Sequence, residues 1–193
     1  MKTRSYTMGA RAESVARTRQ AILEAAFELG EQKLTFAIGL ADVAERAGVT
    51  VRTVLRHFGS REGLLEAVGA HAKTVIVEER EAPVGDLREA VRAIVAHYEL
   101  RGDRVLRMLE EERLEPEIAT HVRRGRRVHR VWVRTVFAPQ LATTSDPREL
   151  EDLLVVATDV YAWKLLRRDM GLSRRRTEDR MFTMLRRLAE EGE

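Results

Sequence analysis

Residues 40–58 read LADVAERAGVTVRTVLRHF, and the fold is decided by how this stretch is read. Apolar residues recur at helical spacing in two runs of about eight residues, parted by Gly48-Val49, which is the layout of a helix-turn-helix. Gly48 can take the positive φ that a tight turn between helices needs. Ala44 is small where the second helix must cross the first, and Val43, Ala47, Val49, Val54 and Phe58 form an inward-facing set. Thr50 stands where its hydroxyl can cap the second helix. Arg52, Thr53, Arg56 and His57 then point outward, all donors suited to phosphates or base edges. A recognition helix offers its first residues to the major groove, here Thr50 to Thr53. A short helical hairpin in any core would share the A-x-x-x-G pattern. The company it keeps sets this one apart: a preceding helix ending FELGEQK and a following GSREGLLEAV, all in the first third of the chain.

Outward from this segment the chain reads as all-α. Residues 1–12 are basic and lack a period, the mark of a flexible arm; residues 13–60 form the helix-turn-helix domain; residues 61–193 form a helical bundle. The first helix is expected from about Ser14 to Gln32, with Thr35 to Gly39 as a connector. A helix starting near Arg61, with Ser60 as its cap, is expected to reach about Glu81. Ala82-Pro83-Val84-Gly85 is the clearest linker, and Asp86 caps the next helix, expected to stop near Leu100 before Gly102-Asp103. Pro116 opens an arginine-rich helix to Phe137, Pro147 a helix to about Met170, and Ser173 a last helix to about Glu190.

The 193 residues suffice for one domain or two, and 44% hydrophobic content permits a real core. Aromatics at 5% and four prolines weigh against an all-β architecture. The net charge of +3 permits nucleic acid without demanding it. Its distribution says more: Lys2, Arg4, Arg11, Arg17 and Arg19 face a single acid, Glu13, in the first twenty residues. Cysteine is absent, so disulfide and thiolate-metal chemistry are excluded. No stretch has the length of a signal peptide's apolar core or of a membrane span, which leads to a cytoplasmic expectation.

The stretches RTRQAILEAAFELG and LADVAERAGVTVRTVLRHFGSREGLLEAV, about residues 17–68, together resemble the TetR family of transcription regulators. The resemblance implies a three-helix DNA-binding domain, a fourth helix leading from it, and a bundle for ligand binding and dimerisation. It places Thr50, Val51, Arg52 and Thr53 against bases or nearby phosphates, with Leu55 and Arg56 on the same helix, and His57 and Arg61 on phosphates. Three positions depart from the family pattern. Leu55 stands where a tyrosine is usual, which costs a phosphate hydrogen bond. Gly39-Leu40 replaces a threonine pair that caps the second helix, a loss of a few tenths to about 1 kcal/mol. Arg61 replaces a lysine and keeps the charge. The implied partners are double-stranded operator DNA, a small-molecule effector, and a second copy of the chain. The implied action is that of a repressor released by a largely apolar molecule.

In the bundle, LLVVATDVYAWKLL is apolar nearly all round and must be buried on most faces. Met181, Phe182, Leu185 and Leu188 make one stripe on the last helix. These two helices are the expected dimer seam, with Leu154 and Leu185 inside it. Asp159 is the odd residue, either paired with an arginine across that seam or polarising a ligand pocket. His97, Tyr98, Met108, His129, Trp132 and Tyr161 are the other candidate pocket residues, each also readable as plain core. Arg123, Arg124, Arg126, Arg127, Arg130 and Arg134 read as a solvated face paired with the acidic stretch 110–117, or else as a second nucleic-acid patch. No H-E-x-x-H pair, phosphate loop or nucleophile elbow occurs, so neither catalytic residues nor a metal or cofactor are expected. An architectural DNA-binding protein without a ligand would have no need of so large a bundle.

Overall fold

The computed structural model describes residues 3–32, 38–114 and 116–191. Among these residues there are helices and turns but no strand, and the chain divides into two compact units, Met1–Ala72 and Lys73–Glu193.

In the first unit, α1 (Thr3–Gln32) is followed by α2 (Leu40–Arg46), α3 (Val51–Phe58) and the first part of α4 (Arg61–Glu79). One apolar cluster holds them: Ile22, Ala26 and Leu29 from α1, Ile38, Val43 and Ala44, then Val54 and Leu64. Ala47, Val49 and Phe58 pack against it, so the inward set expected of the helix-turn-helix faces inward. Helix α1 starts earlier than expected: its backbone is helical from Thr3, not from about Ser14. No proline interrupts residues 3–20 and the sequence is rich in good helix formers, so the helix continues although residues 9–17 bury nothing. The expected connector at 35–37 lies outside the described residues.

The second unit begins within α4 and continues with α5 (Leu87–Glu111), α6 (Pro116–Val136), α7 (Ala138–Thr143), α8 (Pro147–Ala157), α9 (Val160–Lys164), a π-helical turn (Leu165–Asp169) and α10 (Arg174–Glu191). Asp86 caps α5 by accepting from the Arg88 and Glu89 amides, and Asp146 caps α8 in the same way through Arg148 and Glu149. The core joins Ala90, Val91, Ile94, Val95 and Tyr98 of α5 to Val133 and Val136 of α6, Leu150 and Leu154 of α8, Trp163, and Met181 and Leu185 of α10.

Two expectations fail here for physical reasons, and one element was not expected. Helix α5 runs straight through Gly102-Asp103, because Trp163 lies against the Gly102 backbone and that packing outweighs the helix-breaking tendency of glycine. Beyond Val136 the chain forms a further short helix, α7, with Pro139 in its first turn, where proline is tolerated. The helix expected from Pro147 to Met170 breaks at Thr158-Asp159. The Thr158 hydroxyl donates back to the Leu154 carbonyl at 2.6 Å, while the Asp159 carboxylate accepts from the Tyr161 amide at 2.9 Å and starts α9. Asp159 is therefore a half-buried helix cap, not an acid set in mid-helix.

Candidate nucleic-acid interface and bundle interior

The turn before α3 fixes which side chains that helix can offer. Gly48 has φ 65° and lets the chain reverse. Thr50 is extended and accepts from the Thr53 amide at 3.2 Å, and the two hydroxyls lie 3.0 Å apart. Helix α2 lacks a side-chain cap at Gly39, but Asp42 reaches back to accept from the Gly39 amide at 2.9 Å. That half of a capping box offsets the missing threonine, and an acid three residues past Gly39 was its sequence signal.

With Val54 buried, α3 turns Thr50, Val51, Arg52, Leu55 and Arg56 to the exterior and leaves Thr53, His57 and Arg61 half-buried. Arg61 at the start of α4 donates through Nε to the Ile38 carbonyl at 3.4 Å, which leans it toward α2. The His57 Nε2 is buried without a hydrogen-bond partner among the described residues. Arg19 of α1 lies over the Phe58 ring, 5.0 Å from its centre, and adds a cation beside the end of α3. Sequence reasoning did not single out Arg19 for this place.

Within the second unit the candidate pocket residues separate. Tyr98 is buried and its hydroxyl donates to the Thr158 carbonyl at 3.1 Å, its ring 5.9 Å from that of Trp163. His129 and Trp132 are stacked with centroids 5.7 Å apart, and the Trp132 indole donates to the Arg80 carbonyl at 2.7 Å. The Arg80 guanidinium lies 5.6 Å from the centre of the Tyr98 ring. Tyr98, His129 and Trp132 thus gather around Arg80 and Thr158. The Asp159 charge reaches Arg80 and Tyr98, and burial holds its carboxyl above the usual range despite the Tyr161 amide and the Arg126 and Arg80 charges. Tyr161 does not join them, being 56% exposed, and Met108 is half-buried apart from the main core.

Arg80 and Thr158 were missed. Threonine inside an apolar run carries a weak signal, and an arginine in EEREAPVG carries none. His97 is also deeply buried, its Nδ1 2.8 Å from the Glu79 carboxylate, which Arg101 grips as well. Burial first and the Arg80 charge second push His97 down to about 3 and His129 down to about 4, so both are neutral near pH 7.

The arginines of α6 are divided. Arg126 pairs with Glu112 of the acidic stretch at 2.6 Å, but Arg130 and Arg134 pair with Glu151 of α8, each at 2.8 Å. Such exposed pairs are worth under about 1 kcal/mol each.

Among the described residues no helix is long and apolar enough to cross a membrane, and no group of three or more His, Cys, Asp or Glu side chains is placed to hold a metal. No curated protein matches the chain by sequence. Two solved structures resemble it in fold. One is a crystal structure of a tetR-family transcriptional regulator from Streptomyces coelicolor, 17% identical, with a TM-score of 0.66 over 90% of this chain and 80% of that one. The other is a putative TetR-family transcriptional regulator from Rhodococcus sp., 18% identical, with a TM-score of 0.61 over 90% of this chain and 99% of that one. At sequence level, residues 22–68, from the buried face of α1 through α2 and α3 into α4, match the family of bacterial regulatory proteins described as tetR family. The matched residues contain the helix-turn-helix formed by α2 and α3.

Proposed function

We propose that the chain is a ligand-responsive repressor that binds operator DNA as a homodimer in the cytoplasm, is released by a small, largely apolar molecule, and catalyses no reaction. The observation that carries the DNA reading is the exterior face of α3: a capped helix offering Thr50, Val51, Arg52, Leu55 and Arg56, with half-buried Thr53 among them and His57 and Arg61 beside it for phosphates. Arg52 and Thr53 read base edges, and Arg61 holds the backbone.

Dimerisation draws support from the apolar side chains the second unit leaves uncovered. On α8, Leu153 is 42% and Val156 is 68% exposed, three residues apart on one face, and Met184 of α10 is exposed as well. A second copy covers them and sets two recognition helices for half-sites about 34 Å apart. Leu154 and Leu185, expected in the seam, are fully buried within the chain instead. The effector reading draws support from Tyr98, His129 and Trp132 around Arg80. By linkage, an effector that loosens DNA must itself bind the DNA complex less tightly.

The test is selection of bound duplexes from a random pool, followed by titration of the winner. Arg61→Ala should weaken all duplexes alike and lower the salt slope by about one. Arg52→Ala or Thr53→Ala should also change which duplex wins. If none of the three alters affinity or preference, α3 is not the reading helix.

A further inference from the structure

The interior of the second unit holds a buried cation that its own fold leaves incompletely bonded. Arg80 follows directly on α4 and is 7% exposed, yet its Nε is buried with no hydrogen-bond partner among the described residues. Its guanidinium lies over the Tyr98 ring. The nearby carboxylates are engaged elsewhere: Glu79 is held by His97 and Arg101, and Asp159 caps α9. A guanidinium out of water and short of acceptors is costly, and natural interiors leave few such groups unexplained.

A second orphan lies in the same cluster. The Thr158 hydroxyl spends its proton on the Leu154 carbonyl, so the His129 Nε2, 3.2 Å from that hydroxyl and 3.3 Å from the Val155 carbonyl, must carry the ring's hydrogen. That leaves His129 Nδ1 as a bare acceptor, and it is buried without a partner among the described residues. The Trp132 indole joins the two residues, stacking on His129 and donating to the Arg80 carbonyl. The cluster therefore offers an unused cationic donor and an unused neutral acceptor between aromatic rings.

We infer that this cluster is a binding site for a small apolar carboxylic acid, its carboxylate on Arg80 and its body against Tyr98 and Trp132. An acid with a hydroxyl beside the carboxylate satisfies His129 Nδ1 as well. The inference narrows the effector reading above from an apolar molecule to an apolar anion and rests on that reading only for its consequence at DNA. Arg80 is the residue next to Glu79, the last of α4, so the anion acts at the end of the helix that leads from the DNA-binding unit. A carboxylate prefers a guanidinium because the hydrogen bond is charge-assisted and can be bidentate.

The test uses the full-length protein and two series of probes: straight-chain carboxylates from acetate to decanoate, and 3-phenylpropanoate with its 2-hydroxy derivative. Each acid is paired with its amide and its amine. Binding is read by Trp132 and Trp163 fluorescence and by thermal shift, in the wild type and in Arg80→Met, at pH 7. The expected result is at least one acid bound about tenfold more tightly than its amide and amine. That preference should vanish in Arg80→Met, and the 2-hydroxy acid should lose its extra affinity in His129→Phe. If Arg80→Met fails to fold, the acid–amide comparison in the wild type decides alone. Equal affinity for acid and amide, or no binding by any acid up to millimolar concentration, overturns the inference and leaves the orphan atoms to water. DNA titrations separate the two readings. An acid held by Arg80 that leaves DNA affinity unchanged sinks the effector reading alone; amides or amines that release DNA equally from both proteins sink the acid site alone.

Discussion

Replacing Gly102 by alanine should destabilise the protein, against the usual sign for such a change. In a helix interior, glycine to alanine gains about 0.5–1 kcal/mol from backbone entropy alone. Gly102 sits in the middle of α5, but a Cβ there would lie 2.5 Å from Trp163 Cζ3, 2.7 Å from Cη2 and 3.0 Å from Cε3. Relief requires the ring to withdraw by about 1 Å to reach ordinary carbon–carbon contact. Trp163 has little freedom to do so: it is fully buried, its Nε1 donates to Glu99 at 3.0 Å, and Arg168 covers the ring at 4.8 Å. Overpacking of this kind costs about 1–3 kcal/mol. The net effect is a loss of up to about 2.5 kcal/mol, with each kcal/mol lowering Tm by about 2–4 °C for a chain of this size. Gly125 is the internal control, since it lies mid-helix in α6 with nothing within 4 Å of an added Cβ. Gly125→Ala should raise stability by about 0.5–1 kcal/mol. Urea unfolding followed by tryptophan emission measures both. If Gly102→Ala stabilises to the same degree as Gly125→Ala, Trp163 does not lie on Gly102 and the account of α5 fails.

Acid should weaken the second unit in a defined window. His97 and His129 are held down to about 3 and about 4 against an ordinary value of 6.5, so the unfolded chain takes up protons that the folded one refuses. Their contribution is complete above about pH 6.5 and is lost as pH falls toward 4, at up to about 1.4 kcal/mol per pH unit for each group. Unfolding free energies that stay level between pH 7 and 4.5 would refute it; His129→Asn should flatten part of the slope. The uncovered apolar face gives another test. Leu153→Glu or Val156→Glu should yield a folded monomer by sedimentation and circular dichroism, whereas Leu154→Glu, one residue round the helix, should unfold the unit by placing an unpaired charge in its core. A dimer that survives both exposed substitutions would move the interface elsewhere.

What the sequence revealed follows from how local the causes are. The helix-turn-helix was legible because Gly48 and Thr50 act on their immediate neighbours: one bends the turn and the other caps the helix it begins. The run of α5 through Gly102 was not, since its cause is an indole contributed from beyond α8. At Thr158-Asp159 the sequence did carry a sign, a hydroxyl and a short acid side by side, which compete with helical backbone bonds. The strength of the surrounding apolar pattern hid it, which makes Asp159 the odd residue of what reads as one long helix. Leu153 and Leu154 show the limit of periodicity: an apolar run all round a helix does not reveal which residue faces its own core. Arg80 had no local sign at all, because only the packing of α5 and α6 turns an arginine beside a linker into a buried cation.

The division of the chain at Ala72 and Lys73 falls inside α4, between residues joined by one continuous ladder of amide bonds. Melting either unit alone would leave a raw helix end in the surviving one, with up to four carbonyls or four amides stripped of partners. Starting that helix afresh is also unfavourable, because nucleation carries an equilibrium penalty of about a thousandfold. The two units are thus coupled in denaturation as neighbouring repeats are in a solenoid. Heat should take them apart in one transition or in two that overlap, and a cut placed between residues 72 and 73 would sever the cooperative unit rather than release two domains.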